Sequence, residues 1–88
     1  MPQVEIYCSN FCIYCTMALQ LLDRKGVNYK KLDIDGNNEL RSEMQERSRR
    51  HTVPQIFIGD THVGGYDDMA ALEASGRLND LLELSEEA

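Results

Sequence analysis

The chain has 88 residues, a formal net charge of −6, 42% hydrophobic residues and 27% charged residues. These values are ordinary for a soluble globular protein with one modest core, so we expect a single domain over residues 1–88 with a frayed tail at 85–88. The negative charge argues against nucleic-acid and anionic-membrane binding, and no apolar run reaches the roughly 18 residues that a membrane span needs.

The predicted elements alternate between strands and helices. In chain order the patterns predict a strand at 3–7, a helix at 13–25, a strand at 27–34, a helix from the turn at 35–38 to about Ser48, strands at 56–58 and 61–63, and a helix capped by Asp67 or Asp68 and interrupted at Gly76. The order β-α-β-α-β-β-α, with a right-handed crossover and a hairpin, predicts a four-stranded mixed sheet with helices on both faces. That arrangement is a thioredoxin-like α/β fold.

Cys12 and Cys15 carry the strongest functional signal. They lie between a predicted strand and a predicted helix, where both sulfurs can approach closely enough to form a bond. Unpaired backbone N–H groups on the first helical turn, together with the helix dipole, favour negative charge there. The thiolate is the nucleophile of thiol chemistry, so the spacing predicts a redox centre in which Cys12 attacks and the more shielded Cys15 resolves.

The same cysteines allow other interpretations. A zinc site would need two further ligands, for which the candidates are Cys8, His51 and His62, and we expect no metal there. Cys8 is expected to be a small apolar residue at the end of the first strand, with side-pairing to Cys12 left open. All three cysteines fall within eight residues and the N-terminus lacks signal-peptide features, so we expect a reducing cytoplasm.

Two later segments contain proline or glycine, which restrict or widen the backbone conformations of the chain. Val53-Pro54 precedes a strand, where proline is normal, and X–Pro frequencies favour a trans bond. Gly64-Gly65 forms a turn that leads into a helix N-terminus. This segment fits two interpretations equally well, a simple turn with a helix cap or a site that binds a carboxylate or amino group. The remaining charged candidates are expected to be surface or packing residues: Arg47, Arg49, Arg50, His51 and His62.

Taken together, these motifs resemble the glutaredoxin family, most closely the small bacterial glutaredoxins. The likeness lies in the segments Cys12-Ile13-Tyr14-Cys15, Thr52-Val53-Pro54-Gln55-Ile56-Phe57-Ile58 and Gly64-Gly65-Tyr66-Asp67-Asp68, and it covers nearly the whole chain. Each motif alone is weak or moderate, whereas three in this order at family spacing are specific. The resemblance implies a glutathione-dependent enzyme that reduces protein–glutathione mixed disulfides and protein disulfides.

The resemblance also implies roles for individual residues. Cys12 matches the nucleophile, which becomes glutathionylated before a second glutathione regenerates it, and Cys15 matches the resolving thiol. Val53 matches the residue before a cis-proline, which pairs backbone-to-backbone with the cysteinyl part of glutathione. The other implied glutathione-binding residues are Tyr14, Arg41, Thr52, Pro54, Gly65, Tyr66, Asp67 and Asp68.

The resemblance implies that the two ends of glutathione are bound by different parts of the chain. Tyr66, through its backbone, and Asp67 match positions that hold the γ-glutamyl end, with Asp68 close by. Arg41 matches a position that often meets the glycyl carboxylate. The implied partners are glutathione and disulfide-bearing or glutathionylated proteins, and we expect a monomer.

Two residues depart from the usual family pattern. Ile13 stands where proline is usual, and some members without that proline hold a [2Fe-2S] cluster between two protomers with glutathione as co-ligand. An alternative function is therefore an iron–sulfur carrier or sensor with Cys12 as cluster ligand. Ser9 stands where many members carry lysine, so thiolate stabilisation is expected to depend on helix N–H groups and carboxylate recognition on Arg41. A further alternative keeps the oxidoreductase activity but replaces glutathione with thioredoxin reductase as the electron donor.

Overall fold

The computed structural model describes residues 2–84, in which strands and helices follow one another much as expected. The elements are β1 (Val4–Cys8), α1 (Ile13–Lys25), β2 (Lys30–Asp33), α2 (Asn38–Ser48), β3 (Gln55–Ile58), β4 (Thr61–Gly64), α3 (Tyr66–Ser75) and α4 (Arg77–Leu82). The predicted tail at 85–88 lies outside the described residues. No helix within residues 2–84 is both long and apolar enough to cross a membrane.

The strands form one mixed sheet of four strands in the order β2-β1-β3-β4. β1 is parallel to β2 and antiparallel to β3, which is antiparallel to β4. Leu22 of α1 and Met69 of α3 belong to the core on one face, whereas Met44 of α2 belongs to the core on the other. The predicted thioredoxin-like α/β fold, with helices on both faces of a mixed sheet, is confirmed.

The central strand β1 explains why both faces need helices. Ile6 and Cys8 join the core that contains α1, and Tyr7 between them joins the core that contains α2. Successive side chains of a strand point to opposite faces, and all three of these are fully buried. β2 is shorter than predicted because its pairs with β1 run only from Glu5–Lys30 to Cys8–Asp33.

Two helix boundaries follow from local chemistry. α1 ends at Gly26, whose φ of 71° is left-handed and suits a residue without Cβ. α2 begins after Asn37, whose side chain accepts the N–H of Leu40 at 3.1 Å. Both signals lie within a few residues of the helix end, and both boundaries agree with the predicted ones.

The predicted cap of α3 is wrong by two or three residues. Gly65 precedes the helix, and no side chain at that position can cap it. Asp68, inside the first turn, instead accepts the backbone N–H of Gly65 at 3.0 Å. The carboxylate therefore satisfies the free donor from within the helix, and Tyr66 becomes the first helical residue.

Arg47, expected to be a surface or packing residue, is exposed and has several partners on the α2 face of the sheet. Its guanidinium carbon lies 4.0 Å from the ring centroid of Phe57, and it donates to the hydroxyl of Tyr7 at 2.8 Å. A further bond of 3.1 Å reaches the carboxylate of Glu5. Arg47 therefore covers, with its planar guanidinium, the edge of the core between the sheet and α2.

Candidate active site

Cys12 caps the N-terminus of α1 with its sulfur. Its backbone is extended, and its Sγ accepts the N–H of Cys15 at 3.2 Å. Oxygen side chains usually fill this position, because they satisfy one of the free N–H groups of the first turn. Here the sulfur receives that hydrogen bond at the positive end of the helix dipole, where negative charge is stabilised.

The other two thiols are buried and differ from Cys12 in accessibility. Cys15 is 2% exposed and Cys8 is fully buried, whereas Cys12 is half-buried, and all three are free. Burial, followed by the hydrogen bond to Cys12, raises the pKa of Cys15 far above its usual range. Burial raises the pKa of Cys8 to about 11. Only Cys12 thus combines solvent access with a donor to its sulfur.

An open groove of about 210 Å³ lies beside Cys12. Its lining residues are Tyr14, Arg50, Thr52, Val53, Pro54, Gly65, Tyr66, Asp67 and Asp68. The sulfur of Cys12 adjoins the groove through the carbonyl oxygen of Val53, 3.7 Å away. With the exception of Arg41, the residues singled out by sequence for glutathione binding therefore meet in one place.

The middle of the groove is formed by two chain turns that contact each other. The Val53–Pro54 bond is cis, as the resemblance implies and contrary to the expectation from X–Pro frequencies. A Cβ on Gly65 would lie 3.7 Å from the Pro54 carbonyl oxygen, which shows how closely the second turn approaches the first. The rings of Tyr14 and Tyr66, which both line the groove, stack with centroids 6.4 Å apart.

A carboxylate and a guanidinium occupy the polar end of the groove. Nη1 of Arg50 donates to Oδ2 of Asp68 at 3.1 Å, and the same oxygen accepts the N–H of Gly65 at 3.0 Å. These two contacts lower the pKa of Asp68, and the bond from the Gly65 N–H contributes more than the bond from Arg50. Gly64 has φ of 113°, and a Cβ there would overlap the Asp68 carboxylate, so this approach requires glycine.

Arg50, and not Arg41, is the arginine that lines the groove, and the implied contact of Arg41 with the glycyl carboxylate stays a prediction. Arg50, expected to be a surface or packing residue, is exposed and also lines the groove, whereas Arg41 is exposed on α2 and is not part of the lining. The charge of Arg41 instead contributes to the lowered pKa of Asp35, after the N–H of Asn10 and the hydroxyl of Ser9. The position of Arg50 just before the groove-forming turn was the signal that could have identified it.

The zinc interpretation of the cysteines requires further side chains placed around the same ion. Within residues 2–84, no group of three or more histidine, cysteine, aspartate or glutamate side chains is placed to hold a metal ion. His62 contacts the side chain of Gln55 rather than a cysteine.

Comparison with known proteins identifies the family. The family model described as glutaredoxin matches residues 4–63. Glutaredoxin 3 of Escherichia coli strain K12 is 53% identical over 83 residues, which cover 94% of this chain and 100% of that protein. The chain belongs to the glutaredoxin family. This glutaredoxin is accordingly a thiol–disulfide oxidoreductase, in a family that uses glutathione.

Solved structures of glutaredoxins agree with the fold and with the family. The solution structure of glutaredoxin from Brucella melitensis is 54% identical and has a TM-score of 0.82, covering 93% of this chain and 89% of that one. The crystal structure of a buckwheat glutaredoxin–glutathione complex is 25% identical and has a TM-score of 0.85, covering 93% and 77%.

Alkylation of the native protein should distinguish the three thiols. We expect iodoacetamide at pH 8 to modify Cys12 while Cys8 and Cys15 stay unmodified, since both are buried and a raised pKa leaves little thiolate at that pH. Mass spectrometry of the peptides measures each site, and the same treatment in urea should modify all three. Native Cys15 reacting as fast as Cys12 would contradict the assigned asymmetry.

Proposed function

We propose that this glutaredoxin reduces protein–glutathione mixed disulfides through Cys12 and protein disulfides through Cys12 and Cys15, with glutathione as the electron source. The main support is the position of the Cys12 sulfur, which is half-buried, receives a helix N–H and adjoins the groove. Cys8 and Cys15 are buried and less suited to attack on an incoming disulfide.

The first reaction is attack by the Cys12 thiolate on the glutathione sulfur of a mixed disulfide. A bond forms between Cys12 and glutathione, the original S–S bond breaks, and the protein leaves as a thiolate that takes a proton from solvent. A second glutathione thiolate then attacks the glutathione sulfur held on Cys12, which releases oxidised glutathione and returns Cys12 to its thiolate. The N–H of Cys15 stabilises the charge on Cys12 as it leaves.

Protein disulfides require the second thiol. When Cys12 attacks such a disulfide, one protein thiolate leaves and Cys12 becomes joined to the other protein sulfur. Cys15 then attacks the Cys12 sulfur, which forms the Cys12–Cys15 disulfide and releases the second protein thiolate, and that thiolate takes up the proton that Cys15 loses. Two glutathione molecules reduce the Cys12–Cys15 disulfide and leave as oxidised glutathione. Burial is the main cause of the raised pKa of Cys15, and it keeps this thiol from competing with Cys12 for the incoming disulfide.

The groove suits glutathione through complementary charge and backbone groups. The free N–H groups of Tyr66 and Asp67 at the start of α3, with Arg50 nearby, can meet the γ-glutamyl carboxylate, and the Asp67 side chain can meet its ammonium. The backbone of Val53 would pair with the cysteinyl part, and Arg41 with the glycyl carboxylate. The remaining proposed contacts are with Tyr14, Thr52, Pro54, Gly65 and Asp68.

We place this activity in a reducing cytoplasm and in a single-domain monomer. All three cysteines are free thiols, and a reducing compartment keeps Cys12 in the form that attacks. Glutathione is the reductant that such a compartment supplies.

Serine substitutions test the two cysteine roles. Cys12→Ser should abolish reduction of a glutathionylated peptide, because serine has no sulfur that could act as the thiolate nucleophile. Cys15→Ser should retain that activity and lose most of its activity on protein disulfides, because only the second reaction uses the resolving thiol. A coupled assay with glutathione, glutathione reductase and NADPH measures both, with Cys8→Ser as the control that keeps both thiols. Deglutathionylation by Cys12→Ser would refute the nucleophile assignment.

A pair of arginine variants should separate the two carboxylate sites. We expect Arg50→Gln and Arg41→Gln each to raise KM for a glutathionylated peptide about three- to ten-fold, because each removes a cation from a carboxylate. When the glycyl carboxylate of the bound glutathione is replaced by an amide, the Arg41→Gln effect should vanish and the Arg50→Gln effect should remain. The same response from both variants would disprove the separate assignments.

A second candidate function is the binding of a [2Fe-2S] cluster. Ile13, which is 71% exposed next to Cys12, favours it because the usual proline is absent there. Residues 2–84 offer no three-ligand group, so a cluster would take one Cys12 thiolate from each of two protomers and complete its coordination with glutathione. The half-buried Cys12 sulfur fits this arrangement, whereas the buried Cys15 does not.

Anaerobic reconstitution with iron, sulfide and glutathione tests the cluster. The candidate predicts a brown dimer whose visible absorption is lost in Cys12→Ser, kept in Cys15→Ser and reduced in Ile13→Pro. Absorption spectra and size-exclusion chromatography measure these outcomes. A colourless monomer after reconstitution would remove the second function and leave the first intact.

A further inference from the structure

We propose that His62 is a positioning residue for glutathione, because it holds the turn formed by Thr52, Val53 and Pro54 through the side chain of Gln55. This inference rests on the proposed function, in which the backbone of that turn pairs with the tripeptide. His62 does not line the groove at that turn and touches none of the reacting atoms.

A continuous chain of hydrogen bonds joins β4 to the turn. Nε2 of Gln55 donates to the carbonyl oxygen of Thr52 at 3.0 Å and approaches its hydroxyl at 3.4 Å. Oε1 of Gln55 lies 2.7 Å from Nε2 of His62. A carbonyl oxygen only accepts, so the amide nitrogen must face Thr52 and the amide oxygen must accept from His62. His62 therefore carries its hydrogen on Nε2.

The imidazole is held in the orientation that this bond requires. Its ring stacks on Phe57 with centroids 4.8 Å apart and planes inclined by 26°. Phe57 and His62 are also register partners in the β3–β4 ladder, so the sheet places the two rings together. Both the neutral Nε2–H tautomer and the imidazolium can donate to Gln55, so the link does not depend on the charge of His62.

Burial of Gln55 makes the donor from His62 necessary. Gln55 is fully buried, and no described side-chain polar atom that is buried lacks a partner. Without the imidazole N–H, the amide oxygen would be buried without a donor, which is costly. A rotation of the amide that relieved this cost would withdraw Nε2 from the Thr52 carbonyl. The turn would then lose the contact that orients its backbone toward the groove.

The experiment compares His62→Phe with His62→Gln. The first keeps an aromatic ring on Phe57 and removes the donor, whereas the second supplies an amide N–H in place of the imidazole N–H. Thr61→Ala, an exposed change on the same strand, is the control. For each protein, KM and kcat are measured with a glutathionylated peptide and with the same peptide carrying a 2-mercaptoethanol mixed disulfide.

We expect His62→Phe to raise KM for the glutathionylated peptide about five-fold, equivalent to ~1 kcal/mol, with kcat within about two-fold of the wild type. KM for the 2-mercaptoethanol disulfide should not change, because that substrate makes no backbone pair with the turn. His62→Gln should recover most of the loss, and Thr61→Ala should match the wild type. If His62→Phe does not fold, His62→Leu, which also lacks a donor, takes its place.

Two results would overturn the positioning role. One is an unchanged KM for the glutathionylated peptide in the donor-free variant, and the other is an equal rise in KM for both substrates. Failure of the proposed function looks different, because the wild type itself would then show no preference for the glutathionylated peptide. If the wild type prefers the glutathionylated peptide and the donor-free variant keeps that preference, only the role of His62 is refuted and the proposed function stands.

Discussion

A sulfur atom at a helix N-cap is the constraint on which the site depends. Cys12 occupies the position that an oxygen side chain usually fills, and its Sγ takes the N–H of Cys15 at 3.2 Å. One contact therefore begins the helix, stabilises charge on the sulfur and places Cys15 one turn deeper. Because the second cysteine supplies the donor, the two-residue spacer sets both the electrostatics of the first thiol and the burial of the second.

The register of the sheet brings the rest of the groove to this sulfur. Tyr7 pairs with Gln55, which places the end of β1 beside the beginning of β3 and so brings Cys12 near Val53. Ile56 pairs with Gly64, which carries the turn before α3 to the same edge. A shift of one residue in either pairing would move alternate side chains to the opposite face. Packing of the two cores therefore determines the geometry of the site, and Val53 and Tyr66 both line the groove and pack against the core.

Features encoded within a few residues could be predicted from the sequence, and features that depend on distant partners could not. The span of α1 follows from its cysteine cap and Gly26, and the redox pair follows from its spacing at a strand–helix junction. The position of Arg50 just before the groove-forming turn is a local signal, but its contact with Asp68 at 3.1 Å, 18 residues away, depends on the fold. The shortening of β2 depends likewise on how far β1 extends beside it.

The contact between His62 and Gln55 illustrates the same limit. In the sequence, His62 is an isolated histidine on a short strand, for which surface or packing roles are the ordinary expectation. Its contact with Gln55 arises across the β3–β4 hairpin, and the amide in turn reaches back to Thr52. Alternation along β4 predicts which face a residue occupies, but it does not predict that a buried amide on the next strand needs a donor.

A net charge of −6 is compatible with the proposed anionic ligand because recognition acts over short distances. Exposed charges separated by more than about 8 Å are largely screened at physiological ionic strength, so the groups in the groove dominate. The γ-glutamyl end carries an ammonium and a carboxylate on one carbon, and it therefore needs both signs of charge nearby. Arg50 and the N–H groups that begin α3 supply one sign, and Asp67 supplies the other. Asp68 is paired with Arg50 and bonded to Gly65, so in the proposed binding mode it would hold the guanidinium beside the γ-glutamyl end.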